Sequence, residues 1–282
     1  MPVKPTNPVI NRSHPLARGL VGAWAFQDGG GSTLRDVSWR GNHGTLTNMD
    51  PATDWVTSRY GGALDFDGSN DYASVPQTSS LAFTTSMSIE CLVKLDTTSG
   101  AQCIVDSRHT DNSGFYLFCY SHVAPISFVF GMSTGGTADN LTTTPVVSGV
   151  WYHLIGTWDG ATSRVYLDGV LEGSMSKTGT MTVSTAPLRI GYRHTNNYPL
   201  NGQVSLARLW DRPLSPSEVM DLYVSGNDLY SPAVGVRERY YRGNAPIGAI
   251  GTGLHAIEAG GVYGAPGINS GLHAISTGVV TL

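Results

Sequence analysis

The sequence predicts an all-β fold, a sandwich or barrel of antiparallel strands, and three observations carry that expectation. Short apolar runs are separated by turn clusters through residues 19–226, several of the runs alternate with period two, and one segment alone stands out as helical. Thirty-five glycines and fifteen prolines among 282 residues supply the turns.

Taken in order, Gly22–Phe26 reads as a strand before the glycine run 29–31. Ala63–Phe66 is closed by Asp67-Gly-Ser-Asn-Asp71, and Tyr72–Val75 is stopped by Pro76. In Ser86–Leu95, Met87, Ile89, Cys91, Val93 and Leu95 share one face, with Ser86, Ser88, Glu90 and Lys94 on the other. That pattern predicts a half-buried antiparallel strand. Gln102–Asp106, Gly114–Tyr120, Ile126–Phe130 and Trp151–Trp158 follow. Arg164–Leu167 turns at Asp168-Gly169 into Val170-Leu171, a strong hairpin signal. Pro187–Ile190 and Gln203–Trp210 close the series. In the helical segment 213–223, Ser215 is the expected N-cap, Pro216 the first helical residue and Glu218 the partner in a capping box. Val219, Leu222 and Tyr223 share a face, and Gly226 is placed to end the helix.

The flanks differ. Residues 1–18 hold Pro2, Pro5, Pro8 and Pro15 without apolar periodicity, which predicts an extended arm, either unordered or lying along a neighbouring subunit. Residues 227–282 form a Gly-rich tail in which Ile250-Gly-Thr-Gly-Leu-His-Ala-Ile257 recurs as Ile268-Asn-Ser-Gly-Leu-His-Ala-Ile275. Two copies do not make a self-sufficient solenoid, and the stretch 243–282, where Glu258 is the one charge, is a poor solvated coil. The expectation is that the tail orders against another surface through Leu254, His255, Ile257, Leu272, His273 and Ile275, as a docking or oligomerising element.

Composition narrows the function. Charged residues make up 13% of the chain, the net charge is −4 and no basic stripe occurs, which argues against nucleic acid as a partner. No apolar run reaches the ~18 residues that suggest a membrane-spanning helix. The N-terminus lacks an apolar stretch of signal-peptide length, and Cys91, Cys103 and Cys119 are odd in number without metal-type spacing, so buried free thiols and cytosolic maturation are expected.

Several motifs then resemble a known family in its order. Gly19-Leu-Val-Gly-Ala-Trp-Ala-Phe26, Asp36 with Gly41-Asn-His-Gly-Thr-Leu46, and Tyr60–Val75 resemble the opening of concanavalin-A-like, laminin-G-like domains. Trp151-Tyr-His-Leu154, Thr157-Trp-Asp-Gly160 and Val165-Tyr-Leu-Asp-Gly169 resemble the central hairpins, and Gly202–Trp210 with Arg212-Pro-Leu-Ser215 the closing strand and helix. The resemblance implies an antiparallel jelly-roll sandwich over 19–226. More narrowly, the arm from Asn7 to Leu20 and the Gly-Leu-His-Ala-Ile tail resemble structural proteins of tailed-bacteriophage virions, such as head-decoration or fibre proteins. That implies a chain made in a host cytoplasm, carried in a virion, and partnered by copies of itself and other virion proteins.

Enzymes of this fold often resemble one another in a Glu-x-Asp strand motif, whose alternate carboxylates suit glycoside hydrolysis. Five glutamates occur, at 90, 172, 218, 238 and 258, and none has an acidic residue two positions on, so a non-catalytic protein is expected. The resemblance points to structural calcium at Asp28, Asp36 and Asn42 in the opening loops, although Gln27 stands where an acid would serve better. Asp67, Asn70 and Asp71 form a second oxygen-rich turn. Two loops echo each other: Arg108-His109-Thr110-Asp111-Asn112, and Arg193-His194-Thr195-Asn196-Asn197 followed by Tyr198. If they converge at one end of a sandwich, their planar and amide groups suit sugar rings and hydroxyls, for example on a cell-surface glycan. Trp24, Trp151, Trp158 and Trp210 fall within strands and are expected in the core, whereas Trp39 and Trp55 fall in loops. The expected function is thus a virion decoration protein with an outward-facing sandwich, or alternatively a carbohydrate-binding module, free-standing or accessory to an enzyme.

Overall fold

The structure, a computed structural model, describes residues 1, 3–108, 113–120, 126–134, 137–193 and 198–230, with the backbone alone at 120 and 137–139. Among these, sixteen strands form two antiparallel sheets that face each other across one apolar core. The first sheet runs β14 (Val170–Ser176), β13 (Thr162–Leu167), β12 (Trp151–Trp158), β7 (Met87–Leu95), β16 (Asn201–Trp210), β5 (Gly61–Asp67) and β4 (Trp55–Ser58), with β1 (Leu20–Trp24) also paired to β16. The second runs β11 (Thr137–Pro145), β10 (Ser127–Thr134), β9 (Phe115–Tyr120), β8 (Gln102–Asp106), β15 (Leu188–Ile190), β6 (Tyr72–Val75), β3 (Gly44–Thr47) and β2 (Thr33–Leu34). The sandwich expectation holds.

Period two decides which side chains meet. Met87, Ile89, Cys91, Val93 and Leu95 enter the core from β7, and Phe115, Leu117, Cys119, Phe128 and Phe130 meet them from the second sheet. Each such side chain contributes about 1.5–3 kcal/mol by leaving water. The β13–β14 turn has positive φ at both Asp168 (50°) and Gly169 (82°), as its Asp-Gly pair predicts. The helix α1 (Pro216–Ser225) opens with the expected capping box. All three cysteines are free and buried, and burial pushes their thiols above the usual range.

Three expectations are corrected. Strand β7 is not half-buried, because Ser88 and Glu90 on its second face are fully buried as well. That face is covered by a second apolar cluster in which Leu214, Val219 and Leu222 from α1 and its approach meet Ile155, Tyr166 and Trp210. Nor is the arm without packing, for Ile10, Leu16 and Ala17 join the same cluster. Ile10 bridges to Tyr230, and the Trp210 indole donates to the Leu16 carbonyl at 2.8 Å. The segment is not extended throughout either, since Pro15 opens a 3-10 turn (Pro15–Ala17) that sets Leu16 and Ala17 into the cluster. The short strands β2, β3 and β4 and the Thr-rich edge strand β11 were not anticipated, since none carries a clear apolar alternation.

Candidate functional site

Cross-strand register builds one polar row along the outer side of the second sheet. Thr33 pairs with Thr45, Thr45 with Ser74, Ser74 with Arg189, Arg189 with Asp106, Asp106 with Tyr116, Tyr116 with Gly131, and Gly131 with Asn140. Directly paired residues point to the same side of a sheet. The row therefore crosses all eight strands, and from Arg189 to Asn140 it spans four strand intervals, about 19 Å. Its flanking neighbours, such as Leu34, Leu46, Ile190, Val105, Leu117, Phe130 and Leu141, face the core instead.

Asp106 is the hub. It is 2% exposed and holds Arg108 through paired bonds, Nε to Oδ1 and Nη2 to Oδ2, both 3.0 Å, while the Arg108 backbone N–H donates to Oδ1 at 2.8 Å. Arg193 approaches the other side of the carboxylate, Nε to Oδ2 at 3.8 Å. Burial pushes the Asp106 carboxyl above its usual range, against the opposing pull of Arg108 and Arg193. The guanidinium of Arg108 lies 3.5 Å from the Tyr116 ring centre and 4.6 Å from that of Phe118. Arg193 sits between Tyr198 (5.4 Å) and Phe118 (5.8 Å). Arg189 covers Tyr72 at 4.5 Å, beside Tyr192. The Tyr116 hydroxyl donates to Oδ1 of Asn140, which is exposed. Together these groups form a ladder of alternating guanidinium and aromatic planes whose outer members, Arg189, Arg193, Tyr72, Tyr192 and Tyr198, keep part of their surface open.

The structure thus brings together Arg108, Arg193 and Tyr198 of the ligand residues expected from sequence. Asp106, Arg189, Tyr72, Tyr116, Phe118, Tyr192 and Asn140 were missed, because register rather than spacing unites them. His109, Asn112, His194 and Asn197 lie outside the described residues, as do Leu254, His255, Ile257, Leu272, His273 and Ile275 of the tail.

The opening loops tell a different story. Oδ1 of Asp36 accepts from the N–H groups of Ala23 and Ser38 at 2.9 and 2.8 Å, and Oδ2 from Ser38 Oγ and the Asn42 N–H at 2.8 and 2.9 Å. Asn42 gives its amide to the Val21 carbonyl and Ser80, and its side-chain oxygen accepts from Thr78. Asp28 accepts from the Arg35 N–H and faces its side chain. Both oxygens of Asp36 and the side-chain oxygen of Asn42 already accept hydrogen bonds within the protein, and Asp28 is turned to Arg35, so the set does not fit a calcium cage. It pins β1 to the following loop. In the second turn Asp67 and Asp71 likewise accept backbone N–H groups. Among the described residues no group of three or more His, Cys, Asp or Glu side chains is arranged to hold a metal.

Trp24, Trp158 and Trp210 are buried as expected, whereas Trp151 is half-buried against Tyr60. Trp39 is 38% exposed with Arg12 over its ring, at the lip of a cleft of about 570 Å³ between the arm and the opening loops. Trp55 is half-buried and donates to the Gly31 carbonyl. Glu90 is fully buried: Arg208 donates to both its oxygens (2.6 and 2.8 Å), and His153 Nε2 lies 2.7 Å from Oε1.

A laminin G family model, described as the concanavalin A-like lectin/glucanases superfamily, matches residues 67–220. No curated protein matches the chain by sequence. Among solved structures, the fold is similar to domain 4 of an extracellular arabinanase from Geobacillus stearothermophilus, solved in complex with arabinotriose (TM-score 0.56, 18% identity, covering 72% of this chain and 98% of that one). It is also similar to the binding domain of paraclostridial mosquitocidal protein 1 (TM-score 0.58, 16% identity, 74% of this chain and 52% of that one). A third similar structure is Trypanosoma rangeli sialidase in complex with sialic acid (TM-score 0.57, 18% identity, 76% of this chain and 34% of that one). At these identities the likeness establishes the fold.

Proposed function

The chain belongs to the concanavalin A-like lectin/glucanase superfamily, and on that footing we propose that it is a non-catalytic carbohydrate-binding protein whose ligand face is the outer side of the second sheet. The observation that carries this reading is the convergence of Arg108, Arg193, Tyr198 and Tyr116 around Asp106 on a polar row longer than one sugar ring. Aromatic planes stack on sugar faces, and the guanidinium groups, with Asn140 at the rim, reach ring hydroxyls. The arabinanase domain captured with arabinotriose lends the reading support from a structure of the same fold. The non-catalytic part is supported by Glu90, the carboxylate in the strand where the fold's enzymes carry their motif, being sealed from solvent by Arg208 and His153.

Docking on a virion is the less favoured reading. The arm that such docking would employ is occupied with its own sandwich through Ile10 and Leu16.

The test is titration of the full chain against a broad panel of soluble oligosaccharides. The expected result is binding that Arg193→Ala or Tyr198→Ala weakens by about tenfold or more, the effect of losing ~1.4 kcal/mol, with the melting temperature little changed. Binding that survives both substitutions would place the ligand elsewhere, and absence of binding across the panel would remove the reading.

A further inference from the structure

Resting on the glycan-binding reading above, we infer that the sugar held by this face is acidic, carrying a carboxylate or sulfate group that the arginine ladder pairs. Among the described residues, charge on the face does not balance. Arg108, Arg189 and Arg193 line the ladder, whereas Asp106 is its one carboxylate among the described residues. Asp106 is already committed to Arg108 by paired bonds and a backbone bond. Its separation from Arg193, 3.8 Å, is too long for a hydrogen bond. The Nε atoms of Arg193 and Arg189 are buried and have no hydrogen-bond partner among the described residues. Among the described residues the second sheet therefore presents two guanidinium groups in excess, each set against a tyrosine ring and neither joined by a hydrogen bond to a described carboxylate.

This excess stands against the trend of the chain, which has 21 acidic and 17 basic residues. Nor is it a diffuse basic surface, since the three arginines lie just past the end of β8, on its neighbour β15 and in the turn that follows β15. A guanidinium offers a planar fork of donors that fits the two oxygens of a carboxylate or sulfate. Packing beside Tyr72 and Tyr198 positions that fork before a ligand arrives, so less entropy is lost on binding. A neutral sugar could use the aromatic faces but would leave the charge excess uncompensated.

The experiment compares neutral, uronate-containing, sialylated and sulfated oligosaccharides on the full chain, and then takes each acidic hit beside its carboxyl-reduced or desulfated counterpart at low and high salt. The expected result is that hits carry acid groups, that removing the acid weakens binding by about tenfold, and that added salt weakens it as well. Arg193→Gln and Arg189→Gln should lessen the preference for acid over neutral sugar, with unfolding checked in parallel. Hits confined to sulfated sugars would uphold the inference with sulfate as the group, and hits confined to carboxylated ones with carboxylate. Neutral and acidic counterparts binding equally, without salt dependence, would overturn it while leaving the glycan-binding reading intact. Absence of binding in every class would overturn both.

Discussion

Gly131 lies directly opposite Tyr116 in the second sheet, and the tyrosine ring fills the place a side chain there would take. A Cβ on Gly131 would stand 2.2 Å from the Tyr116 ring. The bare backbone lets the ring lie across β10 to its bond with Asn140 on β11, while Arg108 covers it at 3.5 Å. Gly131→Val should thus push the ring off β10, break that bond and unseat Arg108. The expected cost is about 1–3 kcal/mol of stability, as for other overpacking changes, together with loss of ligand binding. Denaturant unfolding and titration check it, and a variant with unaltered affinity would show that Tyr116 does not shape the face.

Much of this architecture was legible in the sequence where cause and effect are local. The capping box is one case: Ser215 Oγ accepts from the Glu218 N–H at 3.3 Å, and Glu218 accepts from the Ser215 N–H at 2.9 Å, a reciprocal pair three residues apart. The core face of β7 is another, because alternation alone orients Met87, Ile89 and Cys91. The second face of the same strand was not legible. Glu90 looks like a solvent residue until Arg208, 118 positions away, and His153 are brought to it. The candidate site divides the same way. The repeated Arg-His-Thr loops announced Arg108 and Arg193, but Asp106 ends an apolar run and gains its partners only through register with Tyr116 and Arg189.

Glu90, His153 and Arg208 set the next expectation. Breaking a buried ion pair strands a charge, which costs about 3–5 kcal/mol, a large share of a stability of ~5–15 kcal/mol. Glu90→Gln should therefore destabilise the protein strongly, while the pair Glu90→Leu with Arg208→Met should recover most of the loss. Burial by itself pushes the Glu90 carboxyl up, but Arg208 and His153 outweigh it and hold the carboxyl below its ordinary value. Its contribution is then complete above the ordinary carboxylate range and lost as pH falls through the depressed value. Unfolding of the wild type and the double variant across acidic pH measures this, and identical acid sensitivity would contradict it.

Lys4 makes the attachment of the arm pH-dependent. Its ammonium donates to the Gly62 carbonyl at 2.9 Å and to Ser205, out of reach of water. Burial, and secondarily the charge of Arg208, lower its pKa from 10.5 to about 7. Between those values the unfolded chain keeps a proton that the folded one has released, so stability rises with pH over that window and is flat below it. Amide-exchange protection at Lys4 and Asn11, corrected for intrinsic rates, should increase from about pH 6.5 to pH 9 in the wild type and stay level in Lys4→Met. Protection that falls over the same range would contradict the sign.

The opening loops should be indifferent to calcium. An ion bound only by the folded state adds stability that grows with its concentration, about 2.7 kcal/mol at one hundred times Kd. Such binding at Asp36 would require its oxygens to release the N–H groups of Ala23, Ser38 and Asn42, each of which would then need another acceptor. Breaking four hydrogen bonds at a residue that is 5% exposed offsets what coordination would supply. The melting temperature in millimolar calcium and in excess chelator should therefore agree, whereas Asp36→Ala, which leaves the same donors unsatisfied, should lower it sharply in both. A calcium-dependent rise in the wild type that Asp36→Ala abolishes would reverse this assignment and restore an ion to the loop.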